Sequence, residues 1–334
     1  MILNGEVVPG DLLPTIRELA ERFDTSVFTV QAAMTPLEEE GLVERRRRLG
    51  TIVKHNPAVL TCAGIYSGSG LLEEWEYAFF RELSRELQRQ LGGQNVESKL
   101  FADMRSTADH LKPMPDLVRA IDSREIQALF VVLSDRDNNP WLTRLPVTAS
   151  FNASGSMSNR VNSDAEQMLR LSLTRLREQG CRTVGLISAI RIPRDHHAYA
   201  FRFYEAFTEI VADLGLKTRD PWVITPQGHV ADHEAYGYES FRTLWGKDDH
   251  PDGLLVFPDT SARGVMTAAL ELGVRVPEDI KMVFHHNTGV DWTCPLGVDW
   301  VENDTARWAA EMIKQVRRQK AGEKIVEPTV LGYR

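Results

Sequence analysis

Apolar residues recur along this chain in two rhythms, and the change between them divides it. From Pro9 to Val43 the rhythm is helical. Ile16, Leu19, Ala20 and Phe23 fall three or four apart and, after a break at Asp24-Thr25, so do Val27, Val30 and Met34. Ser26 stands where an N-cap is wanted, with a hydroxyl for a free amide of the next helix. Leu42-Val43 opens an extended segment that Thr51-Ile52-Val53 closes, and Arg45, Arg46, Arg47 and Arg48 lie between them. The pattern predicts two helices joined by a tight turn, then a two-stranded ribbon with a basic tip. Such a unit reads DNA, the second helix entering the major groove and the ribbon touching the backbone. One proline complicates it: Thr35-Pro36-Leu37-Glu38 has the form of a capping box with proline at N1, which predicts that the second helix breaks near Thr35 and restarts.

After a short linker at His55-Asn56-Pro57 the rhythm changes to short apolar runs alternating with longer amphipathic stretches. Strands are predicted at 60–66, 96–101, 128–133 and 146–151, with helices at 72–91 and 115–123. A second series follows, with helices at 164–179, 198–214, 232–245, 261–272 and 305–321 and strands at 183–188, 222–225, 253–257 and 280–284. Repeated β-α-β order implies parallel sheets covered by helices on both faces. The expected fold is therefore α/β: a winged helix-turn-helix over residues 1–57, then a two-lobed domain with parallel sheets over 60–334. Lobe 1 is expected to hold about 60–160 plus 290–320, and lobe 2 about 161–289 plus the C-terminus. A cleft between two such lobes suits a small ligand.

Composition adds bounds. The chain has 334 residues, a net charge of −8 and 43% hydrophobic residues, ordinary values for a globular protein of two or three units. No run approaches the length needed to span a bilayer, and the first residues lack the basic and apolar regions of a secretory signal. Cys62, Cys181 and Cys294 are widely separated, which suits buried thiols in a reducing cytoplasm. Residues 1–57 carry seven Lys/Arg against nine Asp/Glu, a net of −2, so overall charge does not announce DNA binding; its distribution does. From Arg45 to Lys54 there are five positive charges and no negative one. Four wing arginines on phosphates would contribute at most about −3.6 per subunit to the log–log salt slope.

Ordered matches carry the resemblance of the head. Gly5, Pro9-Gly10-Asp11, Leu13-Pro14, Arg17-Glu18-Leu19-Ala20, Ser26, Thr29-Val30, Leu37, Glu40-Gly41-Leu42-Val43 and Gly50-Thr51 fall at the spacing of the GntR family of bacterial repressors, whose winged helix-turn-helix this stretch resembles. The resemblance implies DNA contacts from Arg17, from Ser26, Val27, Phe28, Thr29 and Gln31 on the second helix, and from Arg45 to Arg48, Gly50 and Thr51 on the wing. Many relatives place arginine where Val27 and Gln31 stand here. Glutamine pairs bidentately with adenine, so the operator is expected to differ from the family's usual one. The family's preceding helix is represented at most by Met1-Ile2-Leu3, which leads to the expectation of a start codon further upstream.

Residues 60–334 resemble the effector domain of the LacI family, which shares its fold with periplasmic sugar-binding proteins. The matching stretches are Pro146-Val147, Val161 with Asp164, Gln179 to Ile187, Pro258-Asp259 with Ala262 and Gly264, and Val276 to Ile280. GntR-type heads on LacI-type bodies form a class typified by the arabinose repressor of bacilli. The resemblance implies a cytoplasmic, homodimeric repressor of a two-fold operator, responsive to a small molecule such as a sugar, with no cofactor and no membrane contact.

The cleft residues depart from that family. The arginine that grips ligand oxygens falls at Tyr199, and the glycine three residues later at Arg202. Asp259 reads either as a hydroxyl acceptor for ligand or as a helix cap. His285 and Asn287 replace an acidic motif and read as cleft contacts or as satisfied buried polar groups. Ser67, Trp75, Asp135 and Trp141 follow first-lobe strands, where rings stack on a ligand or pack in the core. A regulator of this fold that has lost its effector is thus a second reading. His229 and His233 have metal-pair spacing but no third ligand, so no metal is expected. A stand-alone solute-binding protein is disfavoured by the head. An aminotransferase body of the kind some GntR proteins carry would need a Schiff-base lysine motif, and no enzyme motif is found.

Overall fold

The computed structural model describes residues 7, 10–39, 42–46, 49–54, 60–68, 78–106, 109, 112–123, 125–133, 141–142, 148–151, 159–190, 203–228, 230–324 and 329–334. Its first helix, α1 (Ile16–Arg22), starts at a reciprocal cap. The Glu18 amide donates to Thr15 Oγ1 at 3.3 Å and the Thr15 amide to Glu18 Oε2 at 2.6 Å. Asp24 then turns the chain at φ 47°, a left-handed conformation that aspartate tolerates better than most residues. α2 (Val27–Glu39) begins under Ser26, whose Oγ accepts the Thr29 amide at 3.0 Å.

The expected break at Thr35 does not occur: α2 runs through Pro36 to Glu39. Pro36 forfeits one helical hydrogen bond. Met34 and Leu37 on either side of it pack into the head core, and the Leu42 amide donates to the Leu37 carbonyl at 2.8 Å, so tertiary contacts hold the last turn. β1 (Val43–Arg46) and β2 (Gly50–Val53) form the antiparallel wing, Arg45 opposite Thr51 and Arg46 opposite Gly50. Leu19, Ala20, Val30, Met34, Leu42 and Val43 make the core beneath. Burying the larger of these stabilises the unit by roughly 1.5–3 kcal/mol each.

Beyond the linker the chain builds two parallel sheets. The first contains β3 (Cys62–Ser67), β4 (Glu97–Ala102), β5 (Ala128–Leu133), β6 (Thr148–Phe151), β7 (Arg160–Ser163) and β13 (Thr329–Leu331), in the order β13-β7-β6-β5-β3-β4. The second contains β8 (Val184–Ser188), β9 (Val223–Ile224), β10 (Gly253–Phe257), β11 (Lys281–Asn287) and β12 (Asp299–Asn303), in the order β12-β11-β10-β8-β9. On the first sheet α3 (Ala78–Gly92) and α9 (Thr305–Lys320) cover one face through Leu83, Leu87, Trp308 and Met312, and α4 (Pro115–Asp122) covers the other through Leu117. On the second, α5 (Ala165–Glu178) and α6 (Phe203–Asp213) cover one face, and α7 (His233–Trp245) and α8 (Asp259–Glu271) the other. α7 and α8 meet almost backbone to backbone: a Cβ on Gly264 would lie 1.8 Å from the Glu234 carbonyl oxygen, and one on Gly237 2.1 Å from that of Ser261.

The lobe boundaries need correcting. β7 lies in the first sheet, so the chain crosses to lobe 2 after Ser163. Residues 290–303 stay in lobe 2, because β12 pairs with β11 and the loop before it packs Trp292, Leu296 and Val298 into the core of the second sheet, Trp292 against Phe284 and Trp300. α9 returns to lobe 1. The C-terminal strand β13 pairs with β7 there rather than in lobe 2; only afterwards does Arg334 reach over to exchange backbone hydrogen bonds with Glu302. The three strands involved are short and carry polar residues, so their apolar pattern is too weak to place them.

Candidate nucleic-acid interface and interlobe network

In the head the core pins α2 by one face, Val30 and Met34, and turns the opposite face outward. Ser26, Val27, Phe28, Thr29 and Gln31 are all exposed, as is Arg17 near the start of α1. Ser26 and Thr29 also bond to each other, Oγ to Oγ1 at 2.8 Å, which fixes the first turn. No acidic residue lies in that turn. Arg45 and Arg46 sit on β1 beside Gly50 and Thr51, while Arg47 and Arg48 lie outside the described residues. Two carboxylates temper the wing. Arg46 Nε donates to Glu44 Oε1 at 3.1 Å, and Arg45 lies 3.6 Å from Glu38. The Glu44 carboxyl is held below its ordinary range by the Arg46 guanidinium. The run of arginines carries no sign of these partners, which lie on other positions of the fold, whereas the Thr15–Glu18 cap has a legible T-x-x-E signal that the expected contacts do not include.

In the body the expected cleft residues separate into groups. Trp75, Asp135, Tyr199 and Arg202 lie outside the described residues, as does His229. Ser67 is fully buried at the end of β3. Trp141 is 7% exposed and meets Tyr66 edge to face, with ring centroids 5.7 Å apart, so it packs in the lobe 1 core. Tyr66 Oη in turn donates to Asp103, whose carboxylate takes Arg105 through both oxygens at 2.7 Å. His233 bonds to Thr260 at 2.8 Å. Among the described residues no group of three or more metal-ligating side chains comes together, and no helix is long and apolar enough to cross a membrane.

The structure does bring Asp259, His285 and Asn287 together, at the carboxyl ends of β10 and β11. All three are buried. Asp259 is the first residue of α8 and its carboxylate does not cap the helix. Instead Oδ2 accepts the Asn287 side-chain amide at 2.9 Å and the Asn287 backbone amide at 3.2 Å. The Asp259 amide donates to His285 Nδ1 at 3.2 Å. That bond needs a neutral ring with its proton on Nε2. Burial agrees, pushing the His285 pKa down to about 4 against the pull of Asp259. Tyr333 packs against His285 edge to face, and its own pKa is pushed up to about 12 by burial.

From Asn287 the bonding continues out of the lobe. Asn303 Nδ2 donates to Asn287 Oδ1 at 2.7 Å, and Trp308 Nε1 donates to Asn303 Oδ1. Trp308 is buried in the lobe 1 core. Beside it Thr305 on α9 bonds twice to Thr288, at 3.0 and 2.7 Å. A polar chain therefore runs from Asp259 through two asparagines to an indole of the other lobe. Asn303 and Trp308 were not expected: a polar residue ending a short strand carries no signal of its partner.

Comparison with known proteins agrees with both units. Residues 1–53 match the model of bacterial regulatory proteins of the gntR family, and residues 173–333 that of the periplasmic binding protein-like domain. The HTH-type transcriptional regulator LutR of Bacillus subtilis is 28% identical over 147 residues, 43% of this chain and 67% of LutR. The HTH-type transcriptional repressor PurR of Glaesserella parasuis is 31% identical over 88 residues, 25% of this chain and 24% of PurR. Among solved structures the Escherichia coli transcriptional repressor ascG superposes with a TM-score of 0.62 at 16% identity, over 82% of this chain and 96% of that one, a likeness that establishes the fold.

Proposed function

We propose that this chain, whose residues 1–53 match the gntR-family regulator model and whose residues 173–333 match the periplasmic binding protein-like domain, is a transcriptional repressor controlled by a small molecule between its lobes. It acts in the cytoplasm as a homodimer, without catalysing a reaction, and its two heads occupy the halves of a two-fold operator. Arg17, the Ser26–Gln31 face of α2, Arg45–Arg48, Gly50 and Thr51 hold the DNA. The observation that carries this is the exposed outer face of α2 beside a basic wing. The DNA reading also fits relatives named as repressors.

The effector, a sugar or related metabolite, binds where the strands of the two lobes end. Asp259, His285 and Asn287 form the lobe 2 wall there; Ser67, Trp75, Asp135, Trp141, Tyr199 and Arg202 are the other candidates. The bonds from Asn287 to Asn303 and from Asn303 to Trp308 give lobe closure a direct link to α9. A ligand shifts operator affinity only as far as it favours one lobe arrangement. Footprinting on genomic fragments, with and without a panel of sugars, tests both halves. Protection altered by one compound supports them; absence of protection at low salt removes the DNA reading. One observation favours a regulator without effector: one oxygen of the Asp259 carboxylate, Oδ2, is already taken twice by Asn287. Unchanged thermal stability across the panel would select that reading.

A further inference from the structure

The first turn of α2 presents large apolar side chains to solvent where most proteins would place polar ones. Phe28 is 79% exposed and Val27 is 47% exposed. The head core does not need the Phe28 ring, since Val30 and Met34 fill it from the other side of the helix; Val27 stands at the edge of that buried face and is in neither the core nor its partly buried rim. On a helical wheel at about 100° per residue, Phe28 lies some 160° from Val30 and about 60° from Gln31. Phe28, Gln31 and Thr35 thus share the outer face, and all three are exposed. The turn is fixed by the Ser26–Thr29 hydrogen bonds, so the exposed ring has a defined launching point.

Building on the DNA-binding reading above, we propose that Phe28 and Val27 read thymine through its C5-methyl group, making the head a detector of T·A pairs flanking the adenine that Gln31 addresses. The major groove offers one apolar feature, that methyl, and the first residues of a recognition helix are those that reach base edges. Charge supports DNA as the occupant: Arg17, Arg45 and Arg46 are exposed on the same small unit, and the first turn of α2 carries no acidic residue. Cytosine has no C5-methyl, so a G·C pair at these positions would offer the ring and the isopropyl group only polar edges, with no apolar contact to offset their dehydration.

The test uses the full-length protein and its own preferred duplex, selected from a pool with a randomised core. Replacing each selected thymine by deoxyuridine removes one methyl and leaves every hydrogen bond of the pair in place. Loss of affinity by about three- to fivefold per contacted methyl is expected, from the worth of one buried carbon. Phe28→Ala should lower affinity for the thymine duplex by tenfold or so and be insensitive to the thymine-to-uracil exchange at its own position. Because Phe28 is exposed, the variant should keep the wild-type melting temperature and elution volume. Wild-type affinity unmoved by uracil, or a Phe28→Ala loss that simply adds to it, overturns the inference while leaving the regulator reading intact. So does a Phe28→Ala protein that binds DNA normally but changes its oligomeric state, which would assign the ring to a protein contact. Failure of the wild-type protein to select any duplex would remove the DNA reading itself, and this inference with it.

Discussion

The Asp259 carboxylate and the Asn287 side-chain amide meet at 2.9 Å, buried, where β10 and β11 end. Neither residue could be assigned that partner from sequence, 28 positions apart. The pair closes the lobe 2 side of the proposed effector site and starts the hydrogen-bonded chain that ends at Trp308. Removing its amide should therefore matter beyond the immediate contact. Asn287→Ala leaves a buried carboxylate with one backbone donor and is expected to cost about 1–3 kcal/mol. Asn287→Asp places two carboxyls against each other; one must take a proton, so its deficit should shrink as the pH is lowered. Urea unfolding of both variants at neutral and mildly acidic pH checks this, and equal deficits at the two pH values for Asn287→Asp would contradict it.

His285 makes stability depend on pH with a definite sign. Its pKa falls to about 4 in the folded chain because burial opposes the charged ring, against an ordinary value of 6.5. The unfolded chain thus takes up the proton first. Stability from this residue is full above pH 6.5 and is lost progressively as the pH falls towards 4. The groups around the ring are Asp259, His286, Phe257 and Tyr333. A melting temperature that declines through this window in the wild type, and declines less in His285→Gln, is the expected result.

Glu44 holds Arg46 at 3.1 Å and so competes with DNA phosphate for the same guanidinium. Glu44→Gln should tighten binding to any duplex about two- to threefold at low salt. It should also steepen the log–log salt slope by up to about 0.9 per head, one additional phosphate contact. Fluorescence anisotropy across a salt series measures both. Weaker binding would mean that Glu44 positions Arg46 rather than restrains it.

Gly264 allows α7 and α8 to pack backbone to backbone, since its Cβ would stand 1.8 Å from the Glu234 carbonyl oxygen and 2.6 Å from the Tyr238 amide nitrogen. Gly264→Ala must push the helices apart and is expected to cost about 1–3 kcal/mol or more. Gly228→Ala, where a Cβ meets nothing within 4 Å, serves as the near-neutral control. Thermal unfolding of the pair decides the matter.

The chain's order of helices and strands was legible because periodic apolar residues report local geometry. The spans of β5 and β10 agree with the structure residue for residue, and the Ser26 cap was readable from one side chain and its position. The same local logic failed at Pro36, where a helix propensity argument was overruled by packing of Met34 and Leu37. It also missed β7, β12 and β13, whose few residues owe their extended state to neighbours in the sheet.

By itself, then, the sequence determined what each segment becomes and that the first of them forms a helix-turn-helix with a basic wing. Those properties follow from contacts within a few residues, which spacing encodes. Only the tertiary structure decided that β13 closes lobe 1, that Glu44 and Glu38 temper the wing, and that Asp259, Asn287, Asn303 and Trp308 form one chain across the lobes. Hydrogen bonds between distant residues depend on where sheets and helices finally lie, and a buried polar side chain carries in its own position no record of the partner that will satisfy it.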